Sequence, residues 1–245
     1  MEQNKLKKEP LGKGFLINVS KNHKFGTDAV LLADFCAALP TDKYIDLGTG
    51  CGIIPFLLLR DGKTKTSIGI DISEEACDLA LQTKKELNLE AFSVINSDLN
   101  ELKGKVEFGC HTLITCNPPY KAENAGLKNP NERQRIARHE VACKLEDIIA
   151  VSSRLLQTSG RLCMCHRPER LAELMDLMRQ YKLEPKRLRM VHQRQNTEPW
   201  LILIEGKKCA NTGLRISPPL YVEENNDFSD EMKKIYGSYK EAHLK

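Results

Sequence analysis

Asn117-Pro118-Pro119-Tyr120 is the tetrapeptide in this chain best equipped for chemistry, because of what precedes it. His111 to Cys116 form an apolar run that reads as a buried strand. Two consecutive prolines lack backbone donors and stop the hydrogen-bond ladder of such a strand. The tetrapeptide therefore falls at a strand's carboxyl end, where open α/β sheets place their ligands. There a neutral amide, two stiffened carbonyls and an aromatic ring face one crevice. Such a set suits a planar group bearing an amine, with two acceptors for the amine hydrogens and a ring to stack on. An isolated NPPY would read as an ordinary proline-rich turn. A second motif upstream argues otherwise.

That motif is Tyr44-Ile45-Asp46-Leu47-Gly48-Thr49-Gly50-Cys51-Gly52, which runs from strand to glycine turn to helix. Glycines stand where backbone bends sharply and a ligand comes close. Their spacing does not meet the GxGxxG dinucleotide fingerprint, because position 53 is Ile. This points to a ligand without a pyrophosphate. A second strand ends at Asp71, 19 residues past Gly52, where an acid can accept both hydroxyls of a ribose. A third ends at Ser97-Asp98, suited to an exocyclic amine. One acid closing a strand is most often a helix cap. Acids at successive strand ends beside a glycine turn make a binding crevice.

These residues need a frame to hold them. Strands are predicted near 43–47, 66–71, 91–96, 110–116, 159–166, 185–192 and 200–205, with helices near 52–60, 74–88, 140–157 and 168–180. Such alternation means βαβ units and a mostly parallel seven-stranded sheet with helices on both faces, an α/β fold of Rossmann-like type. Ahead of it, Gly14 to Val19 suggest a short hairpin arm, and Thr27-Asp28 suggest a cap for an apolar helix over Ala29 to Phe35. Trp200 to Glu205 close the sheet. We expect a single domain over 1–245, with an arm and helix (1–39), a core (40–206) and an ordered tail (207–245).

The 245 residues are enough for one sizeable α/β domain. With 37 Lys and Arg against 33 Asp and Glu, the formal charge is +4. This bias permits nucleic acid without requiring it. Nine cysteines without paired CxxC spacing, no signal peptide and no membrane-spanning run read as free thiols in a reducing cytoplasm.

DLGTGCG, Asp71, Asp98 and NPPY, in that order, resemble the class I S-adenosylmethionine-dependent methyltransferases that act on exocyclic or amide nitrogens. The resemblance reaches beyond the core, through Lys24 to Leu32, Ala137-Arg138-His139-Glu140, Leu203 to Lys207 and Ser217-Pro218-Pro219-Leu220. Over nearly the whole length the chain is similar to the tRNA1(Val) (adenine-37-N6)-methyltransferase family. The resemblance implies S-adenosylmethionine as cofactor and a tRNA anticodon loop as partner. It implies a catalytic set of Asn117, Pro118, Pro119 and Tyr120, with Asn117 also bordering the cofactor. The implied cofactor residues are Phe25, Thr27, Asp28, Asp46, Leu47, Gly48, Gly50, Asp71, Ile72 and Asp98. No metal and no membrane are expected, and a monomer is the default.

Other features have plainer readings. Lys128 to His139, beside NPPY, is basic and suited to cover a substrate base and touch phosphates, against the alternative of a solvated loop. Lys186, Arg187, Arg189 and Arg194 are equally consistent with RNA contact and plain surface charge. Cys163-Met164-Cys165-His166 reads as core rather than a metal site, and His139 as a cap or loop-ordering residue. Pro218-Pro219 lacks the Asn and reads as a tail turn. Two other activities come into question, and the first of them also carries NPPY. A protein-glutamine methyltransferase of the release-factor type normally has a helical amino-terminal domain, for which about 40 residues are too few. A DNA-adenine enzyme would bring a target-recognition domain. A module without catalysis is disfavoured by intact Asn117 and Asp71.

Overall fold

The computed structural model describes residues 7–119 and 144–237. A nine-stranded sheet runs through the middle. Its parallel half comprises β3 (Tyr44–Leu47), β4 (Ser67–Asp71), β5 (Phe92–Asn96), β6 (His111–Cys116) and β7 (Leu156–His166). These lie in the spatial order β7-β6-β3-β4-β5. The chain leaves β3 for β4 on one side, then returns through β6 on the other. The carboxyl ends of β3 and β6 thus flank the topological switch point, where a crevice forms. β8 (Leu183–His192) and β9 (Pro199–Lys208) extend the sheet beyond β7, and β9 runs antiparallel to both of its neighbours.

All seven expected strands are present. Two more come from the tail: β10 (Arg215–Ile216) and β11 (Leu220–Tyr221) pair with the outer edge of β8. Pairings two residues long rest on backbone alone and leave almost no mark in the side-chain pattern. The last long strand, β9, lies between β7 and β8 rather than at the margin.

The sheet carries a separate core on each face. Tyr44, Leu113, Cys163, Cys165, Leu201 and Leu203 pack beneath α1 (Thr27–Phe35) and α2 (Ile53–Arg60), with Leu79 and Ala80 of α3 (Glu74–Glu86). Ile45, Leu47, Ile114, Met164, Ile202 and Ile204 pack beneath α4 (Leu145–Leu155) and α5 (Leu171–Gln180). Strand alternation divides consecutive residues between the two clusters. The predicted helix at 140–157 ends at Leu155, where Leu156 turns into β7; residues 140–143 lie outside the described residues.

Helix α3 follows its sequence signals closely. The Ser73 hydroxyl accepts the Ala76 N–H at 3.3 Å, acids Glu74 and Glu75 occupy the first turn, and Lys84 and Lys85 the last. The arm, β1 (Lys7–Gly12) and β2 (Phe15–Val19), is a hairpin tied along α3. Asn18 Nδ2 donates to Thr83 Oγ1 and Glu86 Oε2, and Ser20 Oγ donates to Glu75 Oε1 at 2.7 Å. A half-buried clasp joins α1 to the sheet: Arg161 donates to the Cys36 carbonyl and Asp42, and Glu205 pairs with Arg161 and Arg187.

After β11 come a tight hairpin, β12 (Glu223–Glu224) with β13 (Asp227–Phe228), and helix α6 (Asp230–Tyr236). Met232 is fully buried in the same cluster as α1. Replacing Met232 by alanine is expected to cost about 2–5 kcal/mol in urea unfolding, through one cooperative transition for tail and core. A loss below about 0.5 kcal/mol, the size of an ordinary surface change, would mean that the core does not hold α6.

Candidate active site

The glycine turn is built from backbone that only glycine adopts easily. Gly48, Gly50 and Gly52 have φ of 67°, 55° and 86°. The N–H groups of Gly48 and Thr49 both donate to the Ile70 carbonyl, at 2.8 and 3.0 Å, folding the turn over the end of β4. Gly52 also has a packing reason, since a Cβ there would stand 2.7 Å from the Phe56 ring. Gly69, not singled out from the sequence, matters too. A Cβ at this position would meet the Thr49 side chain at 2.8 Å, so the turn can settle only over a glycine. A lone glycine inside an otherwise apolar strand was the available signal.

Asp71 fastens this turn. Its Oδ2 accepts the Gly50 N–H at 2.7 Å and its Oδ1 accepts the Ser73 N–H at 2.9 Å. A carboxylate has about four acceptor positions, so capacity remains for a ligand's hydroxyls.

One step inward, Asp46 is buried in a chain of hydroxyls. Tyr44 Oη and Thr115 Oγ1 are 2.7 Å apart, and Thr115 Oγ1 donates to Asp46 Oδ1. Burial pushes the Asp46 carboxyl up to about 7, resisted by Thr115 and by the neighbouring Thr49 hydroxyl, and aided by the Asp71 charge. Thr49 Oγ1 is buried without a well-formed bond, which leaves Thr115 as the main partner of Asp46. Thr115 escaped the sequence reading. Its position two residues before Asn117 puts both on one face of β6, and that parity was legible.

Asn117 extends this face. β3, β6 and β7 run in step, with Leu47 beside Cys116 and Cys116 beside Met164. The next level therefore sets Gly48, Asn117 and Cys165 side by side. Cys165 Sγ donates to Asn117 Oδ1 at 3.0 Å. Pro118 is buried and Pro119 exposed. Tyr120 lies outside the described residues, as do Lys128 to His139 and Glu140.

The remaining expected residues divide. Ile72 is 49% exposed next to Asp71, a free apolar surface at the crevice rim. Asp98 lies at the end of β5, where its Oδ1 accepts the Asn100 N–H at 2.8 Å and caps a short turn. Asp28 lies in the first turn of α1 and accepts the Ala29 N–H at 2.9 Å. Thr27 corrects the expected helix cap: it is the first helical residue, Gly26 occupies the cap, and its hydroxyl lies 2.9 Å from Tyr236 Oη in the tail. The Leu47 side chain is fully buried in the α4/α5 core, so its backbone is the part that lies at the turn. Phe25 packs partly buried against the other core.

The late basic stretch is largely neutralised. Arg189 forms a two-bond pair with Glu231, Arg194 pairs with Glu223 and Arg187 with Glu205, while Lys186 donates to the carbonyls of Asn211 and Thr212. Cys163 and Cys165 are fully buried in the core, and the described residues hold no metal-binding group of three or more ligands. Burial lowers the pKa of His166, at the end of β7, to about 4, with help from the Arg170 charge, so this imidazole is neutral.

The crevice fits an extended nucleoside. Gly48 and Gly50 have open space where a Cβ would stand, Asp71 keeps free lone pairs, and Ile72 offers a flat apolar patch. Comparisons agree. The family model described as "Methyltransferase domain" matches residues 39–212. A predicted O-methyltransferase from Agrobacterium tumefaciens superposes with a TM-score of 0.66 at 19% identity, covering 87% of this chain and 97% of that one. Geranyl diphosphate C-methyltransferase from Streptomyces coelicolor, solved with S-adenosyl-L-homocysteine, superposes with a TM-score of 0.54 at 15% identity, covering 74% and 79%. The fold and the glycine-turn crevice are those of a class I methyltransferase, and S-adenosylmethionine is its cofactor. A curated relative from Parabacteroides distasonis, named tRNA1(Val) (adenine(37)-N6)-methyltransferase, is 31% identical over 186 residues, 74% of this chain and 76% of the relative. The chain belongs to that family.

The raised Asp46 carboxyl has a defined effect on stability. Its folded pKa of about 7 lies above its ordinary value of 3.8, so the folded state holds this proton longer than the unfolded chain. Stability from this group is therefore greatest below pH 4 and falls as pH rises from about 4 to 7, by up to about 1.4 kcal/mol per unit. Asp46→Asn removes the effect. Urea unfolding of both proteins at pH 5 and 7 should show the variant gaining on the wild type as pH rises. Parallel pH dependences would refute the buried-acid assignment.

Proposed function

We propose that this chain methylates N6 of an adenine in tRNA, most specifically adenine-37 in the anticodon loop of a valine tRNA. The reading is supported by the name of the relatives and, above all, by Asn117, whose amide closes β6 level with the glycine turn. The adenine amine is a weak nucleophile because its lone pair is delocalised into the ring. The Asn117 side-chain oxygen and the Pro118 carbonyl would each accept one N6 hydrogen, drawing the nitrogen toward tetrahedral geometry and aiming its lone pair. S-adenosylmethionine supplies a methyl group on a sulfonium, whose bonding pair remains on sulfur after transfer. The displaced N6 proton passes to solvent, since an uncharged amide does not take it.

Neutral groups suit this task, because a buried ion beside the base would need its own partner. Tyr120 would stack on the base, worth about 1–3 kcal/mol. An adenine in an anticodon loop is already outside a duplex, so drawing it into the crevice costs little. With Arg187, Arg189 and Arg194 paired to acids, Lys128 to His139 becomes the preferred basic segment for phosphate contact.

The deciding experiment is mass mapping of methylated nucleosides in tRNA from a strain lacking the gene, with and without the restored protein. Loss of one N6-methyladenosine at position 37 of valine tRNA is expected; an unchanged tRNA profile would remove the substrate assignment. Asn117→Ala should nearly abolish methyl transfer while leaving affinity for S-adenosylhomocysteine intact. Full turnover by that variant would remove the proposed role. Asp71→Ala should weaken cofactor binding by about 1.5–3 kcal/mol, since it loses charged hydrogen bonds and releases Gly50. Unchanged affinity by calorimetry would count against Asp71 as the ribose acceptor.

A further inference from the structure

Cys165 stands beside Asn117 by register, one step beyond the Cys116–Met164 pairing of β6 and β7. Its sulfur is 3.0 Å from Asn117 Oδ1, and the residue is fully buried. Burial first, and then the Asp28 and Asp46 charges, push the thiol far above its ordinary range, so it stays protonated and can only donate to the amide oxygen. This matters because a carboxamide is nearly symmetric in shape. Rotation about its last torsion is broad and two-fold, and exchanges an acceptor for a donor. With the NH2 group turned toward the substrate, donor would face donor and no amine could be held.

We propose that Cys165 is a positioning residue whose S–H selects the Asn117 rotamer that offers oxygen, rather than NH2, to the substrate amine. The inference rests on the reading of Asn117 as an amine acceptor. The oxygen accepts two bonds, so the thiol occupies one lone pair and leaves the second for substrate. A thiolate at this site would instead attract the NH2 group and invert the amide. Burial of the sulfur, aided by the Asp28 charge, guards against that state.

The test uses the full chain with Cys165→Ala and Cys165→Ser. Removing one neutral hydrogen bond should lower kcat about five- to tenfold in the alanine variant. KM for tRNA and affinity for S-adenosylhomocysteine should stay within about twofold of wild type, because neither ligand contacts the sulfur in this scheme. Serine keeps a donor and should restore most of kcat. In an Asn117→Ala background, Cys165→Ala should add no further loss. A readout independent of turnover is the side-chain amide resonance of Asn117 by NMR, which should shift in the alanine variant and hold in the serine variant. Unchanged kcat in Cys165→Ala, an unmoved amide resonance, or equal losses in both variants would overturn the proposal. A wild-type protein that methylates no adenine would sink the functional reading instead, and the amide resonance would still judge the role of Cys165.

Discussion

The site depends on three parallel strands staying in register. β3 and β6 end level with one another while β7 runs two residues further, so Gly48 and Asn117, just beyond their strands, share one row with Cys165. Side chains alternate strictly, so a one-residue slip of β6 would turn Asn117 and Thr115 to the opposite face. The two hydrophobic clusters guard against the slip. Leu113 belongs to the α1/α2 side and Ile114 to the α4/α5 side, and exchanging them would leave both cores mispacked.

Along this row the inner polar groups are kept close to neutral. Asp46 is pushed toward its protonated form, Cys165 remains a thiol, and His166 an uncharged imidazole, all chiefly through burial. The acid that reaches outward is Asp71, which is satisfied by backbone N–H groups rather than by a cation. A cationic methyl donor therefore meets an environment with no fixed positive charge among these groups, and charge is not wasted on inner residues that substrate does not reach.

Much of this was legible because fold and site used strong local signals. Consecutive prolines ended β6, glycines marked the turn, and Ser73 with its following acids marked the start of α3. Other parts depend on tertiary register. Cys165 reads as an ordinary core cysteine until β7 is aligned with β6, and Thr115 as a routine strand threonine until Asp46 is set beside it. Thr27 shows the converse. It has the chemistry of a helix cap, yet its hydroxyl is claimed by Tyr236, 209 residues away. Likewise the charges of Arg187, Arg189 and Arg194 looked available in sequence, but their acids come from distant segments.

Strand β8 would otherwise present its outer side as a row of unpaired donors and acceptors. The tail covers it in two short steps, Arg215–Ile216 and Leu220–Tyr221, with Ser217-Pro218-Pro219 between them. Neither step is long enough to template another strand, and the intervening prolines bring no N–H to a newcomer. The Pro218 carbonyl is already taken by Arg189 Nε at 2.9 Å. The tail thus leaves this margin of the sheet poorly suited to edge-to-edge self-association.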